Sequence, residues 1–261
     1  MKISDSDKSN IYFGEVMSDR IETSRWKQAQ ASEQIYWDSL NVAELLRICA
    51  EKPPFLALFL DVALAELFDS KSVLEIGCGP LGVALASFYR YKSKIKSLQK
   101  VEPLPRIEVK ATEAAKEEWA SEFVSWVEAL SNEGEYLQIP GEAINFSSEY
   151  DTVIIYNVLD HVHAPQKVLA TAHQALRSGG KILVGVDCLS VIGRLRFELI
   201  TRRTMKGSIL VDAHPYSFVP DHVLNLLREA GFQDVQCLGV PGKLKQFLGG
   251  HYRPAFIGTK P

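Results

Sequence analysis

Residues Val73 to Gly82 read VLEIGCGPLG, a run of apolar residues that leads into three glycines. Such a run predicts a buried strand, and the glycines let the backbone turn sharply and approach a ligand before a helix begins. The spacing matches GxGxxG, and Glu102 follows 20 residues after Gly82, at the end of the next predicted strand. A carboxylate there can accept hydrogen bonds from both hydroxyls of a ribose. The stretch therefore predicts an adenosine-cofactor site at the first turn of a parallel α/β sheet.

Glu75 helps to choose between two kinds of adenosine cofactor. A fixed carboxylate beside the glycine turn would repel the pyrophosphate of a dinucleotide, whereas it suits a ligand that carries an ammonium group. An NAD-dependent oxidoreductase therefore stays open as a less favoured alternative. A turn that needs its glycines for packing alone is the other alternative.

Short β-rich runs alternate with helical segments after Lys71, which predicts a parallel sheet with crossover helices. Seven strands are expected, near Ser72 to Gly77, Leu98 to Glu102, Glu135 to Ile139, Thr152 to Asn157, Lys181 to Asp187, Asp234 to Leu238 and Ala255 to Thr259. Helices are expected between them, near Gly82 to Tyr91, Lys110 to Leu130, Pro165 to Arg177 and Pro220 to Ala230. We expect Gly179 and Gly180 to terminate the third of these helices.

Two segments do not fit this alternation. Residues 1–70 read as an irregular arm followed by a helix from Trp26 to Ala50 and, after Pro53-Pro54, another helix through Leu67. Residues 189–217 are too long for a bare loop and predict helical structure of their own. We therefore expect an N-terminal helical cap at 1–70 and a cofactor-binding domain at 71–261 that carries a second cap as an insertion.

Composition excludes several classes of protein. The 261 residues are 46% hydrophobic and 23% charged, which is ordinary for a globular chain. Lys+Arg 29 against Asp+Glu 32 gives a net charge of -3, which argues against nucleic acid as a partner. Four separated cysteines form no CxxC pair and favour a reducing cytoplasm, and no apolar run is long enough to span a bilayer.

The same residues resemble the class I S-adenosylmethionine-dependent methyltransferases over roughly residues 70 to 260. VLEIGCGPLG is similar to their first motif, and the Val-Glu-Pro-Leu segment around Glu102 is similar to their ribose-binding segment. Gly141-Glu142-Ala143 resembles the adenine loop, YNVLDHV from Tyr156 resembles the segment at the methyl end, and LRSGGKIL from Leu176 resembles the entry to strand five, with Ser178 in place of the usual proline. The Asn-Val-Leu-Asp-His and Val-Glu-Pro-Leu segments are similar to those of the bacterial type 11 methyltransferases.

This resemblance implies a doubly wound seven-stranded, mostly parallel sheet of Rossmann-like type, whose last two strands form an antiparallel edge. It implies S-adenosyl-L-methionine as the cofactor and a small-molecule acceptor, either saccharide-linked or a natural product, methylated at oxygen or nitrogen. The implied cofactor-binding residues are Glu75, Gly77, Cys78, Gly79, Pro80, Gly82, Glu102, Pro103, Leu104, Gly141, Glu142, Ala143, Asn157, Val158 and His161. A non-catalytic cofactor-binding or scaffold protein is the alternative from another class.

His161 and His214 are the candidate catalytic residues, because a histidine can take the proton that a hydroxyl or amine loses on methylation. The residues leave open whether either histidine merely lines or packs the pocket. Asp160, His161 and His163 could offer metal ligands, but they come from one loop with no evident distant partner, so we expect metal-independent transfer.

Aromatic and basic residues are the candidates for contact with the acceptor. Trp26, Trp37 and Tyr216 are expected to line its pocket, although such aromatics also dock helices. Within the insertion, Arg194, Arg196, Arg202, Arg203 and Lys206 are opposed only by Glu198. This basic run predicts either a solvated helix face or a clamp for an anionic group of the acceptor.

Overall fold

The computed structural model describes residues 21–40, 44, 67–79, 95–106, 121–132, 134–205, 209–239 and 247–261. Within them, seven strands form one sheet in the order β3-β2-β1-β4-β5-β9-β7, and β6 pairs with β8 as a separate two-stranded ribbon. The strands are β1 Ser72–Ile76, β2 Ser97–Val101, β3 Glu135–Leu137, β4 Tyr150–Tyr156, β5 Leu176–Gly185, β6 Cys188–Leu189, β7 Gln233–Leu238, β8 His251–Tyr252 and β9 Ala255–Thr259. The predicted doubly wound fold is confirmed.

The strand order reverses between β1 and β4, which are parallel neighbours. In an open α/β sheet this reversal opens a crevice at the carboxyl ends of the strands, where ligands bind. β9 runs antiparallel to both β5 and β7, so the last strand lies inside the sheet and β7 forms the edge. The predicted antiparallel pairing of the last two strands is therefore confirmed.

The helices of the described chain are α1 Thr23–Asp38, α2 Ser121–Asn132, α3 Pro165–Ala175, α4 Val191–Arg196, α5 Arg202–Thr204, α6 Ile209–Asp212 and α7 Pro220–Glu229. The predicted helix at 82–91 and the first part of the one at 110–130 lie outside the described residues, as do most residues between 41 and 66. No helix in the described part of the chain is long and apolar enough to cross a membrane.

Two predicted helix ends were wrong. The helix expected to continue from Trp26 to Ala50 ends at Asp38, where the N–H of Ser39 bonds back to Ile35 and Tyr36. The helix that begins at Pro165 ends at Ala175, because Leu176 already pairs with Tyr150 of β4 and starts β5. Gly179 therefore bends β5, with φ +76°, instead of ending a helix.

One face of the sheet packs against α3 and α7 and forms the main core. Leu74 and Ile76 of β1 lie on this face, and α3 contributes its buried stripe of Val168, Leu169 and Ala172. Burial of apolar side chains of this size stabilises the fold by about 1.5 to 3 kcal/mol each. The alternation of β1 places Glu75 on the opposite face of the sheet.

The insertion carries helical structure, as predicted. α4 is capped by the hydroxyl of Ser190, which accepts the N–H of Gly193 at 2.9 Å, and it continues into a π-helical turn at Phe197–Thr201 before α5. α1 docks on α6 of the same insertion, because Arg25 donates to the carbonyls of Asp212 at 2.8 Å and Val211 at 2.6 Å. The N-terminal helix and the insertion are thus joined.

Candidate functional site

The glycine loop after β1 needs glycine at its first position for two reasons. Gly77 has φ +72°, and a Cβ added there would lie 2.2 Å from Cγ2 of Val158. Its N–H donates to the carbonyl of Val101 at 2.7 Å, which fixes the loop against the end of β2. Gly79 also has a positive φ of +73°, and the ring of Trp37 passes 3.6 Å from its Cβ position. The predicted cofactor contacts Pro80 and Gly82 lie outside the described residues.

Glu102 joins the end of β2 to the glycine loop. Its carboxylate accepts the N–H of Gly79 at 3.0 Å through one oxygen and the N–H of Leu104 at 3.2 Å through the other. Burial raises the pKa of Glu102 to about 7, against the lowering effect of these two hydrogen bonds. A carboxylate has about four acceptor positions, so this one can hold the loop and still accept ribose hydroxyls. Pro103 and Leu104 follow it directly, and the carbonyl of Leu104 accepts the hydroxyl of Tyr136.

Glu75 is completely buried inside β1. In the β1–β2 register it stands beside Lys100, which is also buried, so a carboxylate and an ammonium group share one region of the sheet face. Burial raises the pKa of the Cys78 thiol well above its usual range, and the carboxylates of Glu75 and Glu102 add to this effect. Cys78 is therefore a buried, neutral thiol within the glycine loop.

The predicted adenine loop forms a 3-10 turn at Gly141–Ala143. Gly141 packs closely, because a Cβ there would lie 2.8 Å from Cγ2 of Ile76. One carboxylate oxygen of Glu142 accepts the N–H groups of His163 at 2.8 Å and Ala164 at 2.9 Å, just before α3 begins. Glu142 thus anchors the loop that follows β4, and recognition of adenine by its carboxylate stays a prediction.

The loop after β4 begins with a strained residue. Asn157 has φ +58°, an unusual value for a residue other than glycine, and its N–H donates to the carbonyl of Gly185 at 2.7 Å. Strain of this kind concentrates at ligand sites. Val158 then fills the space that the missing side chain of Gly77 leaves. The glycine loop after β1 and the loop after β4 therefore pack tightly against each other through Gly77 and Val158.

His161 is held by two acidic side chains and a carbonyl. Its Nδ1 lies 2.9 Å from the carbonyl oxygen of Ala213 and 3.2 Å from Oε1 of Glu33, and its Nε2 lies 3.7 Å from Oδ1 of Asp160. Burial lowers the pKa of His161, but the charges of Asp160 and Glu33 and the Ala213 carbonyl outweigh it and raise the pKa to about 9. In this arrangement His161 carries a proton at neutral pH, which weighs against the expected role as a general base.

His214 comes from the other side of the crevice and completes a cluster. Its ring centroid lies 4.4 Å from that of His161, and its Nε2 lies 3.8 Å from Oδ2 of Asp160. Potential ligand atoms of Asp160, His161 and His214 all lie within 4.8 Å of one another. His163, the third candidate from sequence, instead packs its ring against Trp26. His214 is therefore the distant potential metal ligand that the sequence did not indicate for Asp160 and His161.

Glu33 is a site residue that sequence reasoning missed. It lies on α1, where its carboxylate accepts the indole N–H of Trp37 at 3.1 Å and approaches His161. Burial raises the pKa of Glu33, but the hydrogen bond and charge of His161 outweigh burial and the pKa is lowered overall. The i, i+4 spacing of Glu33 and Trp37 was the only signal in the sequence, and it does not indicate which loop α1 covers.

The three predicted acceptor-binding aromatics occupy different environments. Trp37 covers Gly79 in the glycine loop. Trp26 packs against His163, with ring centroids 5.9 Å apart. Tyr216 is buried, donates its hydroxyl to the carbonyl of His163 at 2.8 Å and stacks on Phe218. Of the three aromatic residues, only Trp37 is seen against the glycine loop, and contact of any of them with the acceptor stays a prediction.

The basic run of the insertion is partly engaged within the protein. The guanidinium of Arg194 lies 3.3 Å from the ring nitrogens of His222, and Glu198 accepts the hydroxyl of Ser217 at 2.6 Å. Arg196 and Arg203 are exposed. The side chains of Arg202 and Lys206 lie outside what the structure describes. An anion clamp at this run stays a prediction.

A small pocket opens at the carboxyl ends of β4 and β5, with Asn157, Asp187 and Arg253 in its wall. Arg253 donates to Asp187, and Nε2 of His251 lies 3.1 Å from the same carboxylate. Burial raises the pKa of Asp187, but the hydrogen bonds from His251 and Arg253 outweigh burial and lower it. A fixed charged pair therefore borders the loop that contains Asn157.

Comparison with known proteins agrees with this geometry. Residues 49–237 match the family model described as a methyltransferase domain, which is more than half of the chain. The chain therefore belongs to this family of methyltransferase domains. An uncharacterised protein of Methanocaldococcus jannaschii is 31% identical over 98 residues, which are 37% of this chain and 45% of that protein. The chain thus matches about half the length of that relative.

Several solved structures are similar in fold. A methyltransferase of Thermotoga maritima, described as a possible histamine N-methyltransferase, has a TM-score of 0.52 at 19% identity, with 91% of this chain and 100% of that chain covered. The 1,6-didemethyltoxoflavin-N1-methyltransferase of Burkholderia thailandensis has a TM-score of 0.50 at 16% identity, with 91% and 88% covered. A phosphoethanolamine N-methyltransferase of Haemonchus contortus has a TM-score of 0.51 at 13% identity, with 76% and 51% covered. These likenesses show the fold.

Proposed function

We propose that this enzyme transfers the methyl group of S-adenosylmethionine to an oxygen or nitrogen atom of a small molecule in the crevice beneath α1. The observation that carries the proposal is the double hydrogen bonding of Glu102, which fixes the glycine loop and the end of β2 around one carboxylate. This arrangement supports a role for Glu102 as the acceptor of ribose hydroxyls, because its carboxylate lies beside the glycine loop at the strand-order reversal, where ligands bind.

The proposed cofactor position runs along the carboxyl ends of β2, β1 and β4. Glu102, Pro103 and Leu104 would receive the ribose, and Gly141 to Ala143 would receive the adenine. Gly77 to Gly79, with Asn157 and Val158, would line the methionine end. We propose that Glu75 acts on the ammonium group through the field of its buried charge, because Glu75 itself lies inside the sheet.

The acceptor would enter between α1 and the loops that carry Asp160 and His214. Trp37 covers Gly79, and we propose that its ring contacts the sulfonium or the acceptor. Methyl transfer disperses the positive charge of the sulfonium, so a closed site that aligns the acceptor behind the methyl group supplies most of the catalysis. We propose that the Asp160, His161 and His214 cluster receives the acceptor atom and promotes the loss of its proton.

The remaining proposals concern partners, organisation and location. The net charge of -3 supports a small-molecule acceptor without nucleic acid. The joining of α1 to α6 through Arg25 supports a composite cap, made from the N-terminal region and the insertion at 189–217. The described cysteines Cys78, Cys188 and Cys237 are free thiols, which supports a reducing, cytoplasmic location.

Titration calorimetry of the full chain with S-adenosylhomocysteine tests the cofactor part without knowledge of the acceptor. We expect binding in the micromolar range and no heat from NADH at the same concentrations. Binding of NADH alone would overturn the proposal in favour of an oxidoreductase. Binding of S-adenosylhomocysteine without methyl transfer to any of a broad panel of hydroxyl and amine acceptors would favour a binding or scaffold protein.

A further inference from the structure

Asp160, His161 and His214 form a compact group of metal-ligand types at the carboxyl edge of the sheet. Nε2 of His161 lies 3.7 Å from one carboxylate oxygen of Asp160, and Nε2 of His214 lies 3.8 Å from the other. All three side chains offer a ligand atom within 4.8 Å of the other two. Two imidazole nitrogens and one carboxylate are a common ligand set for a divalent transition metal.

The distances suit a shared ion better than direct hydrogen bonds. An N–H···O hydrogen bond spans about 2.7 to 3.2 Å, so separations of 3.7 and 3.8 Å are too long for one. Two ligands that each bind zinc at about 2.0 to 2.2 Å in tetrahedral geometry stand about 3.4 Å apart. The two Asp160–histidine pairs are therefore within a few tenths of an ångström of the spacing around one ion, and ligand atoms that lie up to 4.8 Å apart would approach by at most about 1.4 Å.

Asp160 supplies an independent sign that something is bound here. Its side chain is only 4% exposed, and no donor among the described residues hydrogen-bonds its Oδ1, which is aimed at His161. A buried carboxylate oxygen without a hydrogen bond is costly, and a bound cation is one of the few groups that offset this cost.

The surroundings also orient the group in the way that protein metal sites require. Nδ1 of His161 faces the carbonyl of Ala213 and the carboxylate of Glu33, so its proton is held there and Nε2 faces Asp160. Metal-binding histidines almost always donate their other ring nitrogen to a carbonyl or carboxylate.

We propose that Asp160, His161 and His214 bind one divalent transition metal ion of the zinc type, and that this ion receives a hydroxyl group of the acceptor. Two imidazole ligands favour zinc, cobalt or nickel over magnesium, which prefers an all-oxygen shell. The site replaces the metal-independent reaction expected from sequence, an expectation that rested on the absence of a distant ligand. His214, more than 50 residues beyond His161 in the chain, is that ligand.

The role of the ion rests on the proposed function, whereas its binding does not. A bound cation lowers the pKa of a coordinated hydroxyl, whose proton then passes to solvent water. The resulting oxygen forms a bond to the methyl carbon while the carbon–sulfur bond breaks, and the electron pair of that bond stays on sulfur as S-adenosylhomocysteine. This assigns oxygen, not nitrogen, as the acceptor atom.

Titration of the chelator-treated full chain with Zn²⁺, followed by Co²⁺ absorption spectroscopy, tests the site. We expect one tight equivalent of Zn²⁺, with visible Co²⁺ bands typical of nitrogen and oxygen ligands. Asp160→Asn and His214→Gln should each weaken Zn²⁺ binding at least about 10-fold, because even loss of an outer partner of a metal ligand costs that much. Millimolar Mg²⁺ should not displace the ion.

His251→Gln is the matched control, because His251 also lies beside an aspartate but is half exposed and outside the cluster. It should bind Zn²⁺ like the unmodified chain. Absence of a stoichiometric Zn²⁺ site, or equal affinity in the Asp160 and His214 variants when circular dichroism shows them folded, would overturn the metal site.

Binding of S-adenosylhomocysteine to the same chelator-treated sample separates the two proposals. Retained cofactor binding without Zn²⁺ binding overturns the metal site alone, and the reverse result overturns the proposed function alone. With Zn²⁺ bound, turnover of amine acceptors but of no hydroxyl acceptor would overturn the assignment of oxygen.

Discussion

Glu102 is a buried carboxylate that accepts two backbone N–H groups, one of them from the glycine loop, and that we propose also binds the ribose of the cofactor. Its pKa of about 7 means that it is only partly ionised at neutral pH when no ligand is bound. Two ribose hydroxyls donate best to the ionised form, so bound cofactor favours loss of the proton. The affinity for S-adenosylhomocysteine should therefore rise between pH 6 and pH 8.

Glu102→Gln tests this linkage. The variant should bind S-adenosylhomocysteine about 10- to 100-fold more weakly at pH 8, as expected for loss of about 1.5 to 3 kcal/mol from hydrogen bonds to a charged group. Its affinity should change much less with pH. Calorimetry at pH 6, 7 and 8 measures both effects, with the exposed Glu229→Gln as control. A pH profile in Glu102→Gln equal to that of the unmodified chain would remove Glu102 from the ribose site.

Gly77 allows a second test at the scale of single residues, because the chain offers a matched glycine. Gly77→Ala must hold a side chain at φ +72° and push Val158 aside, which should lower the free energy of unfolding by about 2 to 5 kcal/mol. Gly179→Ala has a similar φ of +76° with no atom within 4 Å, so only about 1 to 2 kcal/mol should be lost. Urea unfolding of both variants measures the difference. Equal losses would show that the interlock of Gly77 with Val158 adds nothing to stability.

The sequence could predict these local features because each depends on a short stretch. The glycines, Glu102 and the loop of Asn157 lie at strand ends, and parallel strands bring their carboxyl ends to one edge. The contacts of Glu33 and His214 could not be predicted in this way. They depend on how α1 and the insertion lie across the sheet, and no periodic pattern encodes that placement.

At the scale of elements, α1 is the part of the cap that the structure describes best. It contacts the loop after β4, where Gln30 donates to the carbonyl of His161, and it contacts the insertion through Arg25. Its single fully buried side chain is Ala29. A helix with so little apolar burial depends on polar contacts to stay docked.

Arg25→Ala should therefore loosen α1 without unfolding the sheet. Loss of two hydrogen bonds from a charged group to the carbonyls of Val211 and Asp212 should speed amide hydrogen exchange in α1 by at least about 10-fold. Exchange in β1 and β4 should not change. Lys27→Ala, at an exposed position of the same helix, is the control. Unchanged exchange in α1 of Arg25→Ala would mean that other contacts hold the cap.

Helix and strand ends illustrate where pattern reasoning fails at this scale. Gly179 and Gly180 predict the end of a helix, yet the pairing of Leu176 with Tyr150 of β4 extends β5 back to Leu176. The N–H of Gly179 donates to the carbonyl of Lys260, and the N–H of Lys260 donates to the carbonyl of Gly180. Contacts with the distant end of the chain thus override a local helix-stop signal, and such contacts are not visible in a window of sequence.

At the scale of the whole molecule, cofactor binding should couple the sheet to the cap. Glu102 reaches the glycine loop from β2, and Trp37 of α1 covers Gly79 of the same loop. A ligand held between these groups contacts the folded chain only, so it stabilises the native state by mass action. It should also order α1, because the ring of Trp37 would gain a partner on the side of the loop.

We therefore expect S-adenosylhomocysteine at about 100 times its Kd to stabilise the fold by about 2.7 kcal/mol. For a chain of this size that is a rise in Tm of about 5 to 10 °C, measurable by scanning calorimetry.

Trp37→Ala should keep most of this rise, since Glu102 is intact, but should lose the ligand-dependent protection of α1 amides from hydrogen exchange. Equal protection of α1 in Trp37→Ala and in the unmodified chain would show that the cap closes over the cofactor without this ring. Glu102→Gln should show the opposite pattern, with a smaller rise in Tm at the same ligand concentration, so the two variants separate affinity at the sheet from closure of the cap.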